Sequence, residues 1–363
     1  MDIPKTKIAI ISHSLGGGGA ERFAGLLGFM LSDIGYEIHN IILTEIQDYD
    51  YAGSLLNLGK LGKAKPKWKR KFYKGFLLHQ YLKVNNITTI IDNRPRNFQL
   101  SEWLTRQIYS NRKVYYLIQN YNLKNYLPEN VPLAKLLYGK ATKIVCVSQA
   151  IEEQVQKKYH FKNTIIIENP VSLSVSKNVL SAELPEKFIL FFGRFDDKAK
   201  NFSLMLEAFW QSEIFNEGYL LILMGDGPDI NFIKAEIEIR QLQPFVKILP
   251  YQHSPFAVVQ KARFTVLTSH FEGFPLSIVE SLANGTPVLA VDCNSGPREV
   301  IQNEQNGLIV ENYNPDALAT AMQRLVNDEM LYENCKKNAA ASVVRFSTES
   351  IAKKWDKLLS ETV

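Results

Sequence analysis

Two glutamates spaced eight positions apart are the most distinctive chemical feature of the sequence. Glu272 and Glu280 lie in the run SHFEGFPLSIVESLANGTP, residues 269–287. Pro275 fits the first turn of a helix that would carry Glu280. The N–H groups of Leu276 and Ser277 are then expected to be free to bind a diphosphate. The plainer alternatives are a surface Glu280 and a Glu272 that merely favours the helix dipole.

Two cations follow a predicted strand in the run GRFDDKAKN, residues 193–201. Gly193 and Arg194 end that strand, and Lys200 precedes the next helix. Arginine grips phosphate oxygens in a bidentate manner and lysine acts as a point charge, so we expect both to bind one phosphate group. An unrelated pair of surface cations is the alternative. Gly225 and Asp226, in GDGP, are predicted to turn at the same edge of the sheet.

A glycine-rich loop, LGGGGAER at residues 15–22, joins the first predicted strand to a helix. Gly17, Gly18 and Gly19 would let the backbone approach an anion closely at the helix start. The adjacent glycines do not fit GxGxxG, and GxxxxGK[ST] is absent, which disfavours dinucleotide and P-loop sites. A merely flexible loop is the alternative.

The elements that must position these residues alternate between strands and helices. Predicted strands span 7–14, 36–44, 87–92, 113–119, 143–148 and 164–167, and then 188–192, 219–224, 246–249, 264–268, 287–291 and 307–310. Continuous apolar strands alternating with helices predict parallel sheets covered on both faces. We therefore predict an α/β protein with two Rossmann-like, doubly wound domains facing a central cleft, where such folds bind ligands. The predicted parts are a first domain (1–172), a linker (173–186), a second domain (187–346) and an amphipathic C-terminal helix (347–363).

Composition indicates a globular protein of 363 residues with net charge +5. Cys146, Cys293 and Cys335 are far apart, which favours reduced, buried thiols in a cytoplasmic protein. No apolar run approaches the roughly 20 residues of a membrane span, and the first one is too short for a signal peptide. We therefore expect a cytoplasmic protein, either soluble or peripheral on a membrane.

Basic residues concentrate in a segment without a single acidic residue, between Asp50 and Asp92. The centre of this segment mixes cations with aromatic groups: Lys67, Trp68, Lys69, Arg70 and Lys71. This mixture favours attraction to an anionic membrane surface. The alternatives are a solvated face and nucleic-acid binding, but no recognised nucleic-acid motif accompanies the segment.

The chain resembles the retaining, EX7E-type glycosyltransferases of family 4, which have the GT-B fold. The resemblance runs in matching order and spacing from GGGGAER through GRFDDKAKN, GDGP and EGFPLSIVE to CNSGPREV and NGL (306–308). It implies that the first domain (1–172) binds the acceptor and the second (187–346) binds the nucleotide sugar. It also implies that Glu280 binds the ribose hydroxyls, that Glu272 contacts the transferred sugar, and that the C-terminal helix crosses back onto the first domain. It also implies that Arg194 and Lys200 neutralise the departing diphosphate, as preorganised cations can do without a metal or other cofactor. The expected catalytic residues are Glu272, Arg194 and Lys200, and the expected donor-binding residues are Gly17, Gly18, Gly19, Gly193, Arg194, Lys200, Gly225, Asp226, Glu272, Gly273, Phe274, Pro275, Leu276, Ser277 and Glu280.

The sequence departs from the family where many members carry a histidine or an acid near the reactive sugar. The corresponding residues are Gln119 and Asn120, neither of which can act as a base. His13 and His270 are further candidates for sugar or acceptor contact, although a packed or capping role is the alternative. The triplet Asp48-Tyr49-Asp50 resembles a metal-binding DxD motif of another fold, and we interpret it as a polar turn.

The resemblance implies transfer of a hexose or N-acetylhexosamine from a UDP-sugar, or less favourably a GDP-sugar. The expected acceptor is a glycan or a lipid-linked molecule in the synthesis of cell-surface polysaccharide, lipopolysaccharide or glycoconjugates. The alternatives are a sugar-nucleotide hydrolase or epimerase with the same fold, and a noncatalytic protein that binds sugar nucleotides.

Overall fold

The computed structural model describes residues 6–96, 99–171, 184–252 and 254–361. The chain forms two compact units. The first unit consists of Met1–Pro170 and Thr348–Val363, and the second of Val171–Ser347. Most of the predicted linker, residues 173–183, lies outside the described residues. Within the described ranges, no helix is both long enough and apolar enough to cross a membrane.

The strands follow one another through both units. They are β1 (Lys7–Ser12), β2 (Glu37–Ile42), β3 (Ser54–Asn57), β4 (Thr89–Asp92), β5 (Lys113–Ile118), β6 (Lys143–Cys146), β7 (Thr164–Ile166), β8 (Phe188–Arg194), β9 (Leu220–Asp226), β10 (Val246–Leu249), β11 (Thr265–Leu267), β12 (Val288–Val291) and β13 (Gly307–Val310).

Helices connect most of these strands. They are α1 (Gly19–Asp33), α2 (Leu58–Gly62), α3 (Lys67–Val84), α4 (Gln99–Ile108), α5 (Val131–Tyr138), α6 (Gln149–Tyr159), α7 (Asp197–Lys200), α8 (Phe202–Ser212), α9 (Ile230–Ile239), α10 (Phe256–Val259), α11 (Leu276–Ala283), α12 (Pro297–Val300), α13 (Pro315–Asn327), α14 (Glu329–Ser342) and α15 (Thr348–Ser360).

The first unit is built on a parallel sheet with the strand order β3-β2-β1-β4-β5-β6-β7. Its central strands are buried on both faces because helices cover them, which explains their continuous apolar sequence. Ser148 accepts from the Ile151 N–H and so caps the start of α6. The edge strand β3 is an addition to the predicted set.

The last helix, α15, belongs to the core of the first unit. Trp355 is fully buried there in a cluster that includes Phe23 and Leu27 of α1. The amphipathic pattern predicted for this tail therefore serves to bury one helix face among the apolar residues of α1 and the sheet.

The second unit has the parallel strand order β10-β9-β8-β11-β12-β13. Two parallel Rossmann-like sheets therefore confirm the predicted α/β class. Strand β8 ends at Arg194, as predicted, and β9 runs two residues beyond its predicted end, so that Gly193 pairs with Gly225 and Arg194 with Asp226. A Cβ atom at Gly225 would lie 1.9 Å from the Gly193 carbonyl oxygen, so this close approach requires glycine.

The three cysteines are buried and free, as predicted. Burial raises the pKa of the Cys293 thiol to about 12 and that of Cys335 to about 11, and it also raises the pKa of Cys146. All three are therefore protonated near neutral pH, which suits inert core residues rather than nucleophiles.

Candidate active site

An ion pair between Lys200 and Glu272 forms the centre of the candidate site. Lys200 is the last residue of α7, and Glu272 lies in the loop between β11 and α11. The lysine Nζ is 2.6 Å from Glu272 Oε1, and the Ser269 hydroxyl donates to the same oxygen at 2.6 Å. The side chains are 20% and 12% exposed, so both groups remain accessible to a ligand.

Backbone contacts hold α7 against the loop that carries Glu272. The His270 N–H donates to the Ala199 carbonyl at 2.9 Å, and the Thr268 hydroxyl donates to the Lys200 carbonyl at 2.8 Å. The cation and the carboxylate are thus placed by fixed backbone, although they lie 72 residues apart in sequence. Such preorganisation is what a site needs if it is to stabilise charge without rearranging.

Arg194 ends β8 at the same carboxyl edge of the second sheet, and its side chain is exposed. Within the described part of the chain, its guanidinium makes no hydrogen bond or ion pair. Asp226 pairs with it along the backbone and uses its carboxylate to cap the Gly227 N–H at 2.7 Å. The guanidinium therefore remains available to bind an anion.

The start of α11 differs from the prediction in one detail. Pro275 is the N-cap residue rather than the first helical residue, and the Leu276 N–H donates to the Phe274 carbonyl at 2.9 Å. The expectation of a free N–H at Leu276 is therefore wrong, because the local turn uses it. The N–H groups of Phe274 and Ser277 donate to no other described residue, so they can still bind an anion.

Glu280 is buried, with 7% of its surface exposed. The alternative of a helix-surface glutamate is therefore wrong. A carboxylate at this depth needs hydrogen-bonding partners, and Glu280 has at least one interaction within the protein.

A second loop, residues 293–296 after β12, also contacts the Glu272 segment and was not included in the predicted site. The Glu272 N–H donates to the Asn294 carbonyl at 3.2 Å, and the Ser295 hydroxyl donates to the Gly273 carbonyl at 2.8 Å. Ser295 has a φ of 70°, which is costly for a residue with a side chain. The sequence signal for this turn was the Ser-Gly-Pro run at residues 295–297.

His270 is partly engaged by a neighbour. Its Nδ1 lies 3.1 Å from the Tyr313 hydroxyl, and the two ring centroids are 5.5 Å apart. One ring nitrogen therefore has a partner already, and the other nitrogen is the one that can meet a ligand.

The glycine-rich loop lies at the carboxyl end of β1 in the first unit. Gly17 has a φ of 90°, Gly18 is the N-cap residue of α1, and Gly19 is the first residue of that helix. The Asp48 N–H donates to the Leu15 carbonyl at 2.7 Å, so the DxD triplet is part of a turn that supports this loop. The described residues contain no group of three or more His, Cys, Asp or Glu side chains arranged to hold a metal ion.

Gln119 is fixed by a chain of side-chain amides at the carboxyl edge of the first sheet. Its Nε2 donates to Asn93 Oδ1 at 3.0 Å, and its Oε1 accepts from Asn169 Nδ2 at 2.8 Å. Asn93 in turn donates to the Ala20 carbonyl in the first turn of α1 at 2.7 Å. Both ends of the buried Gln119 amide are therefore occupied within the protein. Sequence reasoning treated Gln119 as a candidate ligand contact and did not foresee this network.

The other two candidates in the first unit are less buried. His13 is exposed immediately after β1, and Asn120 is partly exposed. The Asn120 Oδ1 accepts from the Asn122 N–H at 2.8 Å, which shapes the turn after β5. Both side chains lie at the carboxyl edge of the first sheet, where ligands bind in such folds.

A buried ionic cluster follows β4 and was missed by the sequence analysis. Arg94 Nη2 lies 2.6 Å from Asp92 Oδ2 and 3.4 Å from Glu102 Oε2, and Arg96 donates to main-chain carbonyls. Burial alone would raise the pKa of Asp92, but the charges of Arg94 and Arg96 hold it below its usual value. Burial raises the pKa of Glu102. The cluster fixes the loop after β4, on which Asn93 lies.

The centre of the basic segment, residues 67–71, forms the start of α3. Lys67, Trp68, Lys69 and Lys71 are exposed there, and Arg70 donates through Nε to the Lys65 carbonyl at 2.9 Å.

The chain is similar to known glycosyltransferases. Residues 175–342, which contain the Lys200–Glu272 pair and α11, match the family model described as Glycosyl transferases group 1. The N-acetylgalactosamine-N,N'-diacetylbacillosaminyl-diphospho-undecaprenol 4-alpha-N-acetylgalactosaminyltransferase of Campylobacter jejuni is 28% identical over 364 residues, covering 96% of this chain and 97% of the relative. The lipopolysaccharide 1,6-galactosyltransferase of Escherichia coli is 28% identical over 200 residues, covering 53% of this chain and 54% of the relative.

Among solved structures, the Anabaena protein HepE in complex with UDP superimposes with a TM-score of 0.78 at 19% identity. The match covers 98% of this chain and all of HepE. The two parallel sheets, the family match and these relatives lead to one assignment. The chain is a glycosyltransferase with the GT-B fold, and its residues 175–342 match the model of the group 1 family.

Proposed function

We propose that this enzyme transfers a hexose or N-acetylhexosamine, with retention of configuration, from a UDP-sugar to a glycan or lipid-linked acceptor in cell-surface glycan synthesis. The observation that carries the proposal is the Lys200–Glu272 pair, held beside the start of α11 at the sheet edge that also presents Arg194. The names of two relatives support the acceptor class, since one acts on an undecaprenol diphosphate glycan and the other on lipopolysaccharide.

The charges of the site suit the departure of a nucleoside diphosphate. As the bond from the sugar carbon to the diphosphate oxygen breaks, negative charge develops on the leaving group. Arg194, Lys200 and the free N–H groups at Phe274 and Ser277 would stabilise that charge. Lysine has three donors, so Lys200 can keep its bond to Glu272 while it contacts phosphate. The acceptor hydroxyl forms the new bond to the sugar carbon, and its proton passes to the departing diphosphate.

Glu272 and Glu280 have separate roles in the proposal. The partly exposed Glu272 would accept hydrogen bonds from hydroxyls of the transferred sugar, and the buried Glu280 would hold the ribose. The two cations would supply the charge that a metal supplies in other transferases, so we propose that no metal or other cofactor is needed. We expect that EDTA does not change the turnover rate and that adding Mg²⁺ back does not change it either.

UDP is the preferred nucleotide in the proposal, because the similar structure of HepE was solved with UDP. A thermal-shift screen of UDP, GDP and their sugars tests this choice, since a ligand at 100 times its dissociation constant adds about 2.7 kcal/mol of stability. Arg194→Ala should abolish the shift. Lys234→Ala, which removes an exposed cation elsewhere in the same unit, is the matched control. A shift with GDP alone would overturn the choice of UDP.

Catalysis is tested by nucleotide release from the donor that the screen identifies, with a membrane extract as the acceptor source. Lys200→Met and Glu272→Gln should each lower the rate about 100-fold or more, as loss of one preorganised transition-state contact does. If both variants released nucleotide at the normal rate, the proposed site would be wrong. Release that does not depend on acceptor would indicate a hydrolase, and tight binding without turnover would indicate a noncatalytic protein.

The acceptor proposal also implies a place of action. A lipid-linked acceptor is confined to a membrane, so we propose that the enzyme works as a peripheral protein on the cytoplasmic face. Lys67, Trp68, Lys69, Arg70 and Lys71 would provide its contact with anionic lipid.

A further inference from the structure

The loop after β12, residues 293–296, holds one peptide of the candidate site. The Ser295 hydroxyl donates to the Gly273 carbonyl at 2.8 Å, and Ser295 is buried. That carbonyl and the Phe274 N–H belong to the same peptide. The peptide is trans, so its N–H points away from its carbonyl and therefore away from Ser295. One hydroxyl thus sets the direction of an N–H that the proposed function assigns to the diphosphate.

The Gly273–Phe274 peptide needs such a contact because a glycine precedes its N–H. Gly273 has no side chain to limit rotation about its backbone bonds, so this peptide can turn over with little movement of the chain on either side. The rest of Phe274 is held in place. Its buried ring lies 5.0 Å from the Phe346 ring, and its own carbonyl accepts from the Leu276 N–H at 2.9 Å. The orientation of the peptide is therefore the freedom that Ser295 removes.

The loop makes this contact at a cost in backbone strain. Ser295 has a φ of 70°, in the left-handed region that glycine adopts far more readily. The next residue, Gly296, has a φ of 100°, and a Cβ atom there would collide with the ring of Pro275. The base of the loop is fixed as well, since the Asp292 N–H donates to the Val310 carbonyl of β13 at 2.7 Å. A serine kept at a position that suits glycine indicates a use for its hydroxyl.

We propose that Ser295 is a positioning residue for the donor diphosphate: its hydroxyl fixes the Gly273–Phe274 peptide so that the Phe274 N–H is directed at a phosphate oxygen. This inference rests on the proposed function, because it concerns the same diphosphate. The hydroxyl also strengthens the N–H as a donor, since a hydrogen bond at the carbonyl polarises the whole peptide. The N–H stabilises negative charge as it develops on the leaving group, so Ser295 acts on kcat as well as on affinity.

Ser295→Gly separates this role from a structural one. Glycine removes the hydroxyl but is unstrained at a φ of 70°, and these two effects on stability oppose each other. The melting temperature should therefore stay within about 3 °C of the wild type. In calorimetric titration, the affinity for UDP should fall about tenfold or more, because a hydrogen bond to a charged group is lost. The affinity for uridine, measured by competition with UDP, should stay within about twofold, because uridine has no phosphate.

Ser295→Ala removes the same hydroxyl but keeps a Cβ atom and the strained backbone. It should weaken UDP binding as much as Ser295→Gly does, while it melts at a lower temperature than Ser295→Gly. Equal loss of UDP affinity at unequal stability would tie the loss to the hydroxyl rather than to stability. Both variants should also lower kcat for nucleotide release at saturating donor by about tenfold or more.

Ser212 offers the matched control in the same unit. It is buried at the end of α8, and its hydroxyl donates to the Phe209 carbonyl at the same distance of 2.8 Å. Ser212→Ala therefore removes one buried bond between a hydroxyl and a carbonyl, as Ser295→Ala does. It should lower the melting temperature to a similar extent and leave the affinities for UDP and uridine unchanged.

Two results would overturn the inference: wild-type UDP affinity in Ser295→Gly, or an equal loss of UDP and uridine affinity, which would indicate a distorted pocket. The proposed function is tested separately by the wild type and Arg194→Ala. If the wild type bound UDP and Arg194→Ala did not, normal UDP binding by Ser295→Gly would refute only the role of Ser295. If the wild type bound GDP instead, GDP and guanosine would take the place of UDP and uridine. If it bound neither diphosphate, the proposed donor site and this inference would both be wrong.

Discussion

The C-terminal helix gives the sharpest test of what holds the first unit together. Trp355 of α15 is fully buried in the cluster that contains Phe23 and Leu27. Truncation of a buried aromatic side chain costs about 3–5 kcal/mol, since it removes packing and leaves a cavity. At about 2–4 °C per kcal/mol for a unit of this size, Trp355→Ala should lower the melting temperature of the first unit by about 6–20 °C.

Trp355→Phe separates packing from hydrogen bonding at the same position. The indole N–H is buried and has no acceptor among the described atoms, and burying such a donor costs about 1–3 kcal/mol. Phenylalanine removes that N–H, and this gain offsets part of the lost packing. The free energy of unfolding should therefore change by less than about 1.5 kcal/mol. Calorimetry and urea unfolding measure both variants, and Trp210→Ala in the second unit is the control.

Two results would refute this reasoning. If Trp355→Ala melted within 2 °C of the wild type, about 1 kcal/mol or less, α15 would not be part of the core. If Trp355→Phe were as damaging as Trp355→Ala, the indole N–H would have a partner in solution.

Three further predictions concern buried groups and the nucleotide site. Because Asp92 has a lowered pKa when folded, its stabilising contribution is full above about pH 4 and is lost as the pH falls through the folded value. Asp92→Asn should therefore lower the free energy of unfolding by about 3–5 kcal/mol at pH 7 and flatten the pH dependence of urea unfolding below pH 4. Glu102→Gln should lower it far less, because burial already favours the neutral form of Glu102. Gln119→Met should lower the free energy of unfolding by about 2–4 kcal/mol, since it removes the partner of the buried Asn93 Oδ1 and of the buried Asn169 Nδ2. Equal loss in the control Asn120→Ala would contradict the network. Gly225→Ala should weaken UDP binding at least tenfold by calorimetric titration, because its Cβ would meet the Gly193 carbonyl. Lys234→Ala, at an exposed position of α9, should leave binding unchanged, and normal UDP affinity in Gly225→Ala would rule out this edge as the nucleotide site.

The architecture could be predicted because the central strands of a parallel sheet are apolar on both faces. The run Ile8–Ile11 of β1 and the run around Phe191 in β8 show this directly. Strand β3 was missed because Leu55 and Leu56 are its only apolar residues and both are only partly buried at the sheet edge. Helix α14 is not evident from the sequence, because it has no strong apolar stripe and its buried face depends on contacts with α11 and α13.

The motif residues of the second unit could be placed at one sheet edge because each follows its own strand closely in sequence. Finer features required the folded backbone. The turn that occupies the Leu276 N–H follows from local geometry around Pro275 that spacing does not reveal. Arg94 belongs to a residue type that is rarely buried, and its partner Glu102 comes from another element. Gln119 has partners from two other strand ends, so nothing in its own neighbourhood predicts them.

The division of the chain has a consequence for the order of folding during synthesis. The first unit begins at Met1, is interrupted at Pro170, and is completed only from Thr348 onward. The second unit is thus an insertion that is fully synthesised while α1 still lacks α15 against its apolar face. Until α15 has left the ribosome, the first unit exposes the surface that Trp355 will cover. A chain truncated after Ser347 and released from the ribosome should therefore bind chaperones through the first unit, while the second unit folds normally.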